Sequence, residues 1–229
     1  MKSMANDNTT TTLYITRHGQ THWNAERRMQ GHANSDLTEL GTQQATWLRD
    51  AVQDVDFAAI YASPSTRAYH TAEIIRGQRT QPVIPCDELK EIGLGSWEGQ
   101  LVSEIKQQHP TEYFAFWHAP QEYQALNGGE TFAQVSERAL PKVNALIELH
   151  TGQTILLVTH AVTLKTIVSS FEDRPLARLW EPPVIHPTSL TKIVIENGVA
   201  RIALYADVSH HEIKPSSPQL EKSAQGRSV

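Results

Sequence analysis

The feature that most constrains the fold of this chain is the unbroken apolar run Ile155–Val158 in the segment TILLVTH. A strand with one solvated face alternates apolar and polar residues, whereas a continuously apolar strand must be covered on both faces. Strands of this kind occur in parallel sheets with helices on either side. The run therefore predicts a central parallel strand in an α/β protein.

Strand-like and helix-like segments alternate along most of the chain. Short apolar stretches at Leu13–Thr16, Phe57–Ala62 and around Pro82–Cys86 predict three further strands. The segment LTELGTQQATWLRDAV has apolar residues at helical spacing, and SPSTRAYHTAEIIRG has helix-start residues at one end and glycine at the other. This alternation predicts a mostly parallel central sheet with helices on both faces.

The second half of the chain carries more local signals. In NGGETFAQ, Thr131 and Gln134 are spaced as a capping box at the start of a long helix, inside which Pro141 predicts a kink. A further helix is expected over about 162–171, and ENGV predicts a hairpin turning at Asn197–Gly198. Residues of about 100–130 are aromatic-rich and irregular, and we expect them to form a helical insertion over the active site.

Composition limits the organisation and the setting of the protein. We expect one domain over residues 12–211, with a disordered leader at 1–11 and a disordered polar tail at 212–229. The single cysteine, Cys86, cannot form an internal disulfide, which favours a reducing, cytoplasmic setting.

Charge and hydropathy exclude some classes of partner. The formal net charge is −5 without a run of basic residues, so a nucleic-acid partner is not expected. Membrane residence is not expected either, because no apolar run approaches the length of a bilayer-spanning helix. The oligomeric state is left open by the sequence.

Polar, chemically versatile residues follow each predicted strand. Arg17 and His18 come directly after the first strand, Arg67 lies just past the second, Glu91 follows the third and His160 follows the fourth. In parallel sheets, ligands bind beyond the carboxyl ends of the strands, so these residues share one edge. Two guanidinium groups match phosphate oxygens, a histidine can be a covalent nucleophile, and a carboxyl group can protonate a leaving alkoxide. This set indicates phosphoryl transfer.

Several segments together resemble one known family. The segments TRHGQTHWN, SPSTRAYHTAEII, LKEIGLGSWEGQ and VTHAVTLK are similar, in this order, to the signature segments of the histidine phosphatase superfamily, also called the phosphoglycerate mutase-like superfamily. The resemblance extends over about residues 12–208. It implies a phosphoglycerate mutase-like fold and a metal-independent phosphatase without a cofactor.

The resemblance also implies a role for each residue of the set. His18 would accept the phosphoryl group as a phosphohistidine, while Arg17 and Arg67 hold the phosphoryl oxygens. His160 would donate a hydrogen bond to the transferred group, and Glu91 would protonate the leaving group. Three polar residues of the following loop are placed at the phosphate by the same resemblance: Gln20, Thr21 and Asn24.

The resemblance leaves open whether the phosphoryl group passes from His18 to water, as in a phosphatase, or to a sugar acid, as in a mutase. Cofactor-dependent phosphoglycerate mutases of this superfamily typically carry a basic residue after the loop glycine and paired arginines in the insertion. Here Val102 stands three residues beyond Gly99, and no arginine occurs between Gly99 and Gly129. The sequence therefore favours hydrolysis of a small phosphorylated metabolite. A mutase and a non-catalytic phospho-ligand-binding protein remain as alternatives.

Other assignments of the site are also possible. Glu98 and Glu130 rival Glu91 as the acid by residue type, although family position favours Glu91. A metal hydrolase is a further rival, because His18 and His22 are four residues apart. That spacing brings two histidines together only on a helix, and His18 is expected at a strand end.

Overall fold

The structure is a computed structural model that describes residues 9–212. Six strands form one sheet, and their bounds follow the predicted alternation. They are β1 (Thr10–Arg17), β2 (Ala59–Ala62), β3 (Val83–Pro85), β4 (Thr154–Thr159), β5 (Leu190–Glu196) and β6 (Val199–Asp207).

The strand with the unbroken apolar run lies inside the sheet, as predicted. The order of the strands is β3-β2-β4-β1-β5-β6, and β4 pairs in parallel with both β1 and β2. The strand β3 extends the parallel part, whereas β5 and β6 are antiparallel and complete the other edge. The mostly parallel α/β fold expected from the sequence is thus confirmed.

Helices cover the sheet. They are α1 (His22–Ala25), α2 (Glu39–Ala51), α3 (Thr66–Arg76), α4 (Val102–Gln108), α5 (Pro110–His118), α6 (Phe132–Leu149) and α7 (Ala161–Phe171). Over residues 9–212, none of these helices is long and apolar enough to cross a bilayer.

Alternation along β1 divides the interior between the two faces of the sheet. Leu13 and Ile15 join the cluster built with α6 and α7, while Tyr14 between them joins the cluster with α2 and α3. Each face of the parallel strands is therefore buried under two helices, which accounts for the continuous apolar character of β4.

Local signals read from the sequence recur in the structure. Thr131 accepts from the backbone of Gln134 at the start of α6, and the reciprocal bond completes the capping box. Asn197 and Gly198 connect β5 to β6 with φ angles of 53° and 78°. Two positive φ values are typical of the primed turns that match the twist of a hairpin.

The predicted insertion contains α4 and α5 and packs into a third apolar cluster. Trp97 and Phe116 are both about 1% exposed in this cluster, together with Tyr123. The same cluster includes Ile92, which directly follows Glu91, and Val162, which lies two residues after His160. The aromatic residues of the insertion thus support the backbone that carries two of the predicted site residues.

The predicted boundary of the leader is wrong at its end. Thr10 and Thr11 were expected in the leader but belong to β1, because they pair with Glu196 and Ile195 of β5. Pairing with a strand far along the sequence leaves no local apolar signal at these two threonines. The remaining leader up to residue 8 and the tail from residue 213 lie outside the described residues.

Candidate active site

The ends of β1 and β4 bring two histidines together. Arg17 pairs with Thr159 at the last position of the two parallel strands, and the N–H of His18 donates to the carbonyl of Thr159 at 2.9 Å. His18 and His160 therefore leave the sheet side by side, with ring centroids 5.1 Å apart. The strand-end argument correctly placed these two residues.

The hydrogen bonds of His18 define its tautomer. Its Nδ1 lies 2.7 Å from the carbonyl oxygen of Gly19, and because a carbonyl only accepts, Nδ1 carries the proton. Burial and the charges of Arg67 and Arg17 hold the pKa of His18 well below its ordinary value of 6.5. At neutral pH the ring is therefore neutral, and its Nε2 is a lone-pair nitrogen suited to nucleophilic attack.

The loop after β1 is held by close backbone packing. A Cβ on Gly19 would lie 2.4 Å from the carbonyl oxygen of Gly41, and a Cβ on Gly41 would lie 2.0 Å from that of Gln20. The N–H of Gly19 donates to the hydroxyl of Thr71 on α3 at 3.0 Å. Glycine at position 19 therefore permits the loop to sit directly on the first turn of α2.

Two buried guanidinium groups flank the histidines. Arg67 donates to the carbonyls of Gly31 and Ala33, both at 2.7 Å, and Arg17 donates to that of Ile185 at 2.9 Å. Burial lowers the pKa of Arg67 to about 10, with the charge of Glu91 opposing this effect. Arg67 therefore remains cationic at neutral pH, with its fork fixed by backbone carbonyls.

Three donor-type nitrogens of the site lack a partner although they are buried. They are Nε of Arg17, Nε of Arg67 and Nδ1 of His160. Buried polar atoms in proteins are nearly always hydrogen-bonded, so these three nitrogens are available to bind a ligand. A ligand with several acceptor oxygens, such as a phosphoryl group, would satisfy all three.

Glu91 is attached to the helix that follows His160. Its carboxylate accepts from the N–H groups of Val162 at 3.2 Å and Thr163 at 3.3 Å, in the first turn of α7. The N-cap of this helix is His160 itself, which makes no side-chain capping bond. A carboxylate at a helix start is favoured by the helix dipole, so this arrangement fixes Glu91 relative to His160.

The backbone around Glu91 is held by side chains. Each carbonyl of residues 88–91 accepts from at least one side chain, at distances of 2.6–2.9 Å. The donors are Arg138 on α6, Thr159 at the end of β4, Thr163 on α7 and His32. The segment that presents Glu91 is thereby fixed to three elements of the fold.

The two rival carboxylates, those of Glu98 and Glu130, already accept hydrogen bonds from neighbouring segments. Glu98 accepts from the N–H groups of His32 at 2.8 Å and Ala33 at 3.0 Å. Glu130 accepts from Arg138 at 2.8 Å and also from His32. Burial alone would raise the pKa of Glu130, but hydrogen bonds from His32 and Arg138 outweigh it and lower that pKa overall.

The polar residues of the loop are engaged with one another. Thr21 and Asn24 form a reciprocal capping box around α1, with both bonds at 3.1 Å, and the Oε1 of Gln20 accepts from Thr38 at 3.0 Å. The hydroxyl of Thr21 and the Oδ1 of Asn24 are thus used within the loop. Contact of these three residues with phosphate stays a prediction.

The geometry separates the two histidines of the metal alternative. His18 is 2% exposed after β1, whereas His22 is exposed at the first residue of α1. Residues 18–21 precede that helix, so the two rings do not share one helical face. The spacing that suggested a metal pair therefore does not produce one here.

A cleft of about 330 Å³ adjoins the arginine side of the site. One of its lining residues, Asn34, lies 3.4 Å from Nη1 of Arg67. The lining residues are predominantly polar: His32, Asn34, Pro64, Ser65, Asp87 and Lys90. This cleft can accommodate a small polar group attached to the phosphoryl group.

Comparison with known proteins identifies the family. The sequence profile of the histidine phosphatase superfamily (branch 1) matches residues 13–208. The chain belongs to this superfamily. The membership and class of enzyme expected from the quoted segments are thus confirmed.

Three similar proteins illustrate the family. A metal-independent phosphoserine phosphatase of Arabidopsis thaliana is 33% identical over 69% of this chain and 67% of its own length. Phosphoglycerate mutase-like protein 4 of the same plant is 30% identical over 87% of this chain and 86% of its own. The solved structure of Bacillus stearothermophilus YhfR is 48% identical, with a TM-score of 0.84 over 87% of this histidine phosphatase and 98% of that chain.

Several residues that shape the site were not singled out from the sequence. Ser63 contacts His160, and Thr71 holds Gly19 while donating to the carbonyl of Arg67. Ser63 directly follows β2, so the strand-end rule that selected the other residues also applies to it. Arg138 carried no such signal, because the carbonyls of Glu88 and Glu91 to which it donates are about 50 residues away in the chain.

Proposed function

We propose that this protein hydrolyses phosphate monoesters of small metabolites through a phosphohistidine formed on His18. The observation that supports this most directly is the neutral His18 beside three buried nitrogens without partners. A transferring phosphoryl group is stabilised mainly by fixed positive charge and donors around its oxygens. Arg17, Arg67 and His160 provide both.

In the first step, Nε2 of His18 attacks phosphorus in line with the ester bond. The P–N bond forms as the P–O bond to the leaving group breaks, and Glu91, which enters this step as the carboxylic acid, delivers its proton to the leaving oxygen. The Nδ1–H bond to the carbonyl of Gly19 persists and stabilises the positive charge that develops on the ring. The product leaves as an alcohol.

In the second step, water replaces the leaving group on the same side of the phosphohistidine. Glu91, now ionised, accepts a proton from this water as its oxygen bonds to phosphorus and the P–N bond breaks. The cycle ends with inorganic phosphate and the neutral His18. Because the cations are side chains, the mechanism uses no metal and no cofactor.

The leaving group would occupy the cleft beside Arg67. His32 and Lys90 offer cationic or donor groups there, while Asp87 forms an ion pair with Lys90 at 2.7 Å. Such a lining fits a small polar group better than a large apolar one. The name of the Arabidopsis relative, a phosphoserine phosphatase, agrees with this size and polarity.

Hydrolysis is proposed over mutase activity because the insertion contains no arginine. A second phosphate or a carboxylate on a phosphoglycerate would require a strong cationic grip, which residues 99–129 supply poorly. We also propose a cytoplasmic location and a metabolite, rather than a nucleic acid, as the partner.

The test is a phosphate-release screen over sugar phosphates, phosphorylated amino acids, nucleotides and phosphoglycerates. Wild type is compared with His18→Ala and with His22→Ala, an exposed histidine four residues away. We expect His18→Ala to lose hydrolysis and His22→Ala to keep it, with label from ³²P-substrate trapped on wild type alone. Retained hydrolysis in His18→Ala, or mutase activity that depends on 2,3-bisphosphoglycerate, would overturn the proposal.

A further inference from the structure

His160 has two different nitrogen environments. Its Nε2 lies 2.8 Å from the hydroxyl of Ser63, whereas its Nδ1 is one of the buried atoms without a partner. Burial and the nearby charges of Arg67 and Arg17 hold the pKa of His160 well below its ordinary value. The ring is therefore neutral at neutral pH, with one N–H to assign to one of the two nitrogens.

The position of that proton decides whether His160 helps or hinders phosphoryl binding. With the proton on Nε2, the lone pair of Nδ1 would face the oxygens of the phosphoryl group, and the two would repel. With the proton on Nδ1, the ring donates to those oxygens. A neutral His160 can therefore fulfil its expected role only if Ser63 is the donor in the bond to Nε2.

The surroundings of Ser63 permit it to be that donor. Its oxygen lies 3.1 Å from the hydroxyl of Ser65 and accepts from the backbone N–H of Ser65 at 3.4 Å. In the structure the hydroxyl of Ser63 donates to that of Ser65, and rotation of the two hydroxyls about their Cβ–Oγ bonds reverses this bond. After that rotation Ser65 donates to Ser63, and Ser63 donates to Nε2 of His160.

We propose that Ser63 is a positioning residue that holds His160 in the Nδ1–H tautomer, so that a neutral imidazole donates to the transferred phosphoryl group. This inference rests on the proposed function for the identity of the ligand. It assigns a role to a residue that touches neither the phosphoryl group nor the leaving group. Ser63 is fully buried, so solvent cannot substitute for its hydroxyl.

The tautomer can be measured without any turnover. Long-range ¹H–¹⁵N correlation spectra of the histidine-labelled protein, recorded with saturating inorganic phosphate, distinguish Nδ1–H from Nε2–H. We expect Nδ1–H at His160 in wild type and a mixture of tautomers in Ser63→Ala. Ser169→Ala, which removes a buried hydroxyl without a partner on α7, should leave the His160 signals unchanged.

Steady-state kinetics give a second measurement, and a purely structural role of Ser63 would not produce the same pattern. We expect Ser63→Ala to lower kcat/KM by about tenfold to a hundredfold, the range typical of residues that orient a functional histidine. The loss should fall on kcat more than on KM, because the bond from Nδ1–H strengthens as charge develops on the transferred phosphoryl group. Ser169→Ala should show neither change.

The tautomer inference and the proposed function can be refuted independently of each other. A wild-type His160 with Nε2–H in the phosphate complex would overturn the tautomer inference, whatever the phosphate-release screen shows. A loss in Ser63→Ala confined to KM, with kcat unchanged, would do the same. Retained hydrolysis in His18→Ala would instead remove the proposed function and leave the measured tautomer intact.

Discussion

Replacing Glu91 with glutamine separates its chemical role from its structural one. The carboxylate accepts from Ile92 at 2.9 Å and from Val162 and Thr163 at 3.2 and 3.3 Å. Glutamine keeps one acceptor oxygen, so one of these N–H groups loses its partner, at about 1 kcal/mol of stability. The variant therefore stays folded, and its loss of activity reports the chemistry.

The expected loss depends on the leaving group. General acid catalysis contributes about 10²–10⁴-fold in rate, so hydrolysis of an alkyl phosphate should fall by about 10³-fold, or about 4 kcal/mol in the barrier. An aryl phosphate such as p-nitrophenyl phosphate leaves as a stable phenolate and needs little protonation. For this substrate we expect a loss in kcat/KM of about tenfold or less, since only part of the effect of general acid catalysis remains.

The assay compares kcat/KM for both substrates, which reports only the steps up to release of the alcohol, in wild type, Glu91→Gln and Glu98→Gln. Glu98 is a suitable control because it also accepts backbone N–H groups, those of His32, Ala33 and Leu94. We expect Glu98→Gln to reduce both rates by the same factor. If Glu91→Gln also reduced both rates equally, Glu91 would not be the proton donor.

Three further predictions concern stability. Gly19→Ala places a Cβ 2.4 Å from a carbonyl of the backbone, and urea unfolding should show a loss of about 1–3 kcal/mol. Arg138→Met removes bonds to Glu130 and to two carbonyls, and we expect a loss of roughly 2–4 kcal/mol, against little change for Arg178→Met, which removes an exposed ion pair with Glu181. The folded-state pKa of His18 and His160 is lowered, so the unfolded chain takes up protons first as pH falls below about 6.5. Unfolding free energy should then decrease by up to about 1.4 kcal/mol per pH unit for each histidine, and His160→Gln should halve that slope in urea titrations between pH 5 and 6.5. An unchanged slope, or wild-type stability in either of the other variants, would contradict these arguments.

The sequence predicted the parts of the site that depend on strand ends. An apolar run followed by a polar residue is a local signal, and the topology of parallel strands converts it into a shared location. The positions of Arg17, His18 and His160 followed from this rule, and the family resemblance distinguished Glu91 from its rivals.

What the sequence could not show are the partners that fix each group. The tautomer of His18 depends on one carbonyl at 2.7 Å, and the fork of Arg67 depends on carbonyls more than 30 residues away. The exclusion of Glu130 depends on its contacts with Arg138 and His32. Such contacts arise from packing between distant elements, and no pattern of spacing encodes them.

The position of β4 has a consequence for how the pocket comes into existence. This strand is the fourth of the sheet in the chain, but it is inserted between β2 and β1, which are made much earlier. Until residues 154–160 are in place, the strands that precede His18 and Ser63 have no strand between them to join them in one sheet. A nascent chain that stops before β4 therefore lacks both His160 and the strand that aligns the other residues, and phosphate should bind only after nearly the whole sheet has formed.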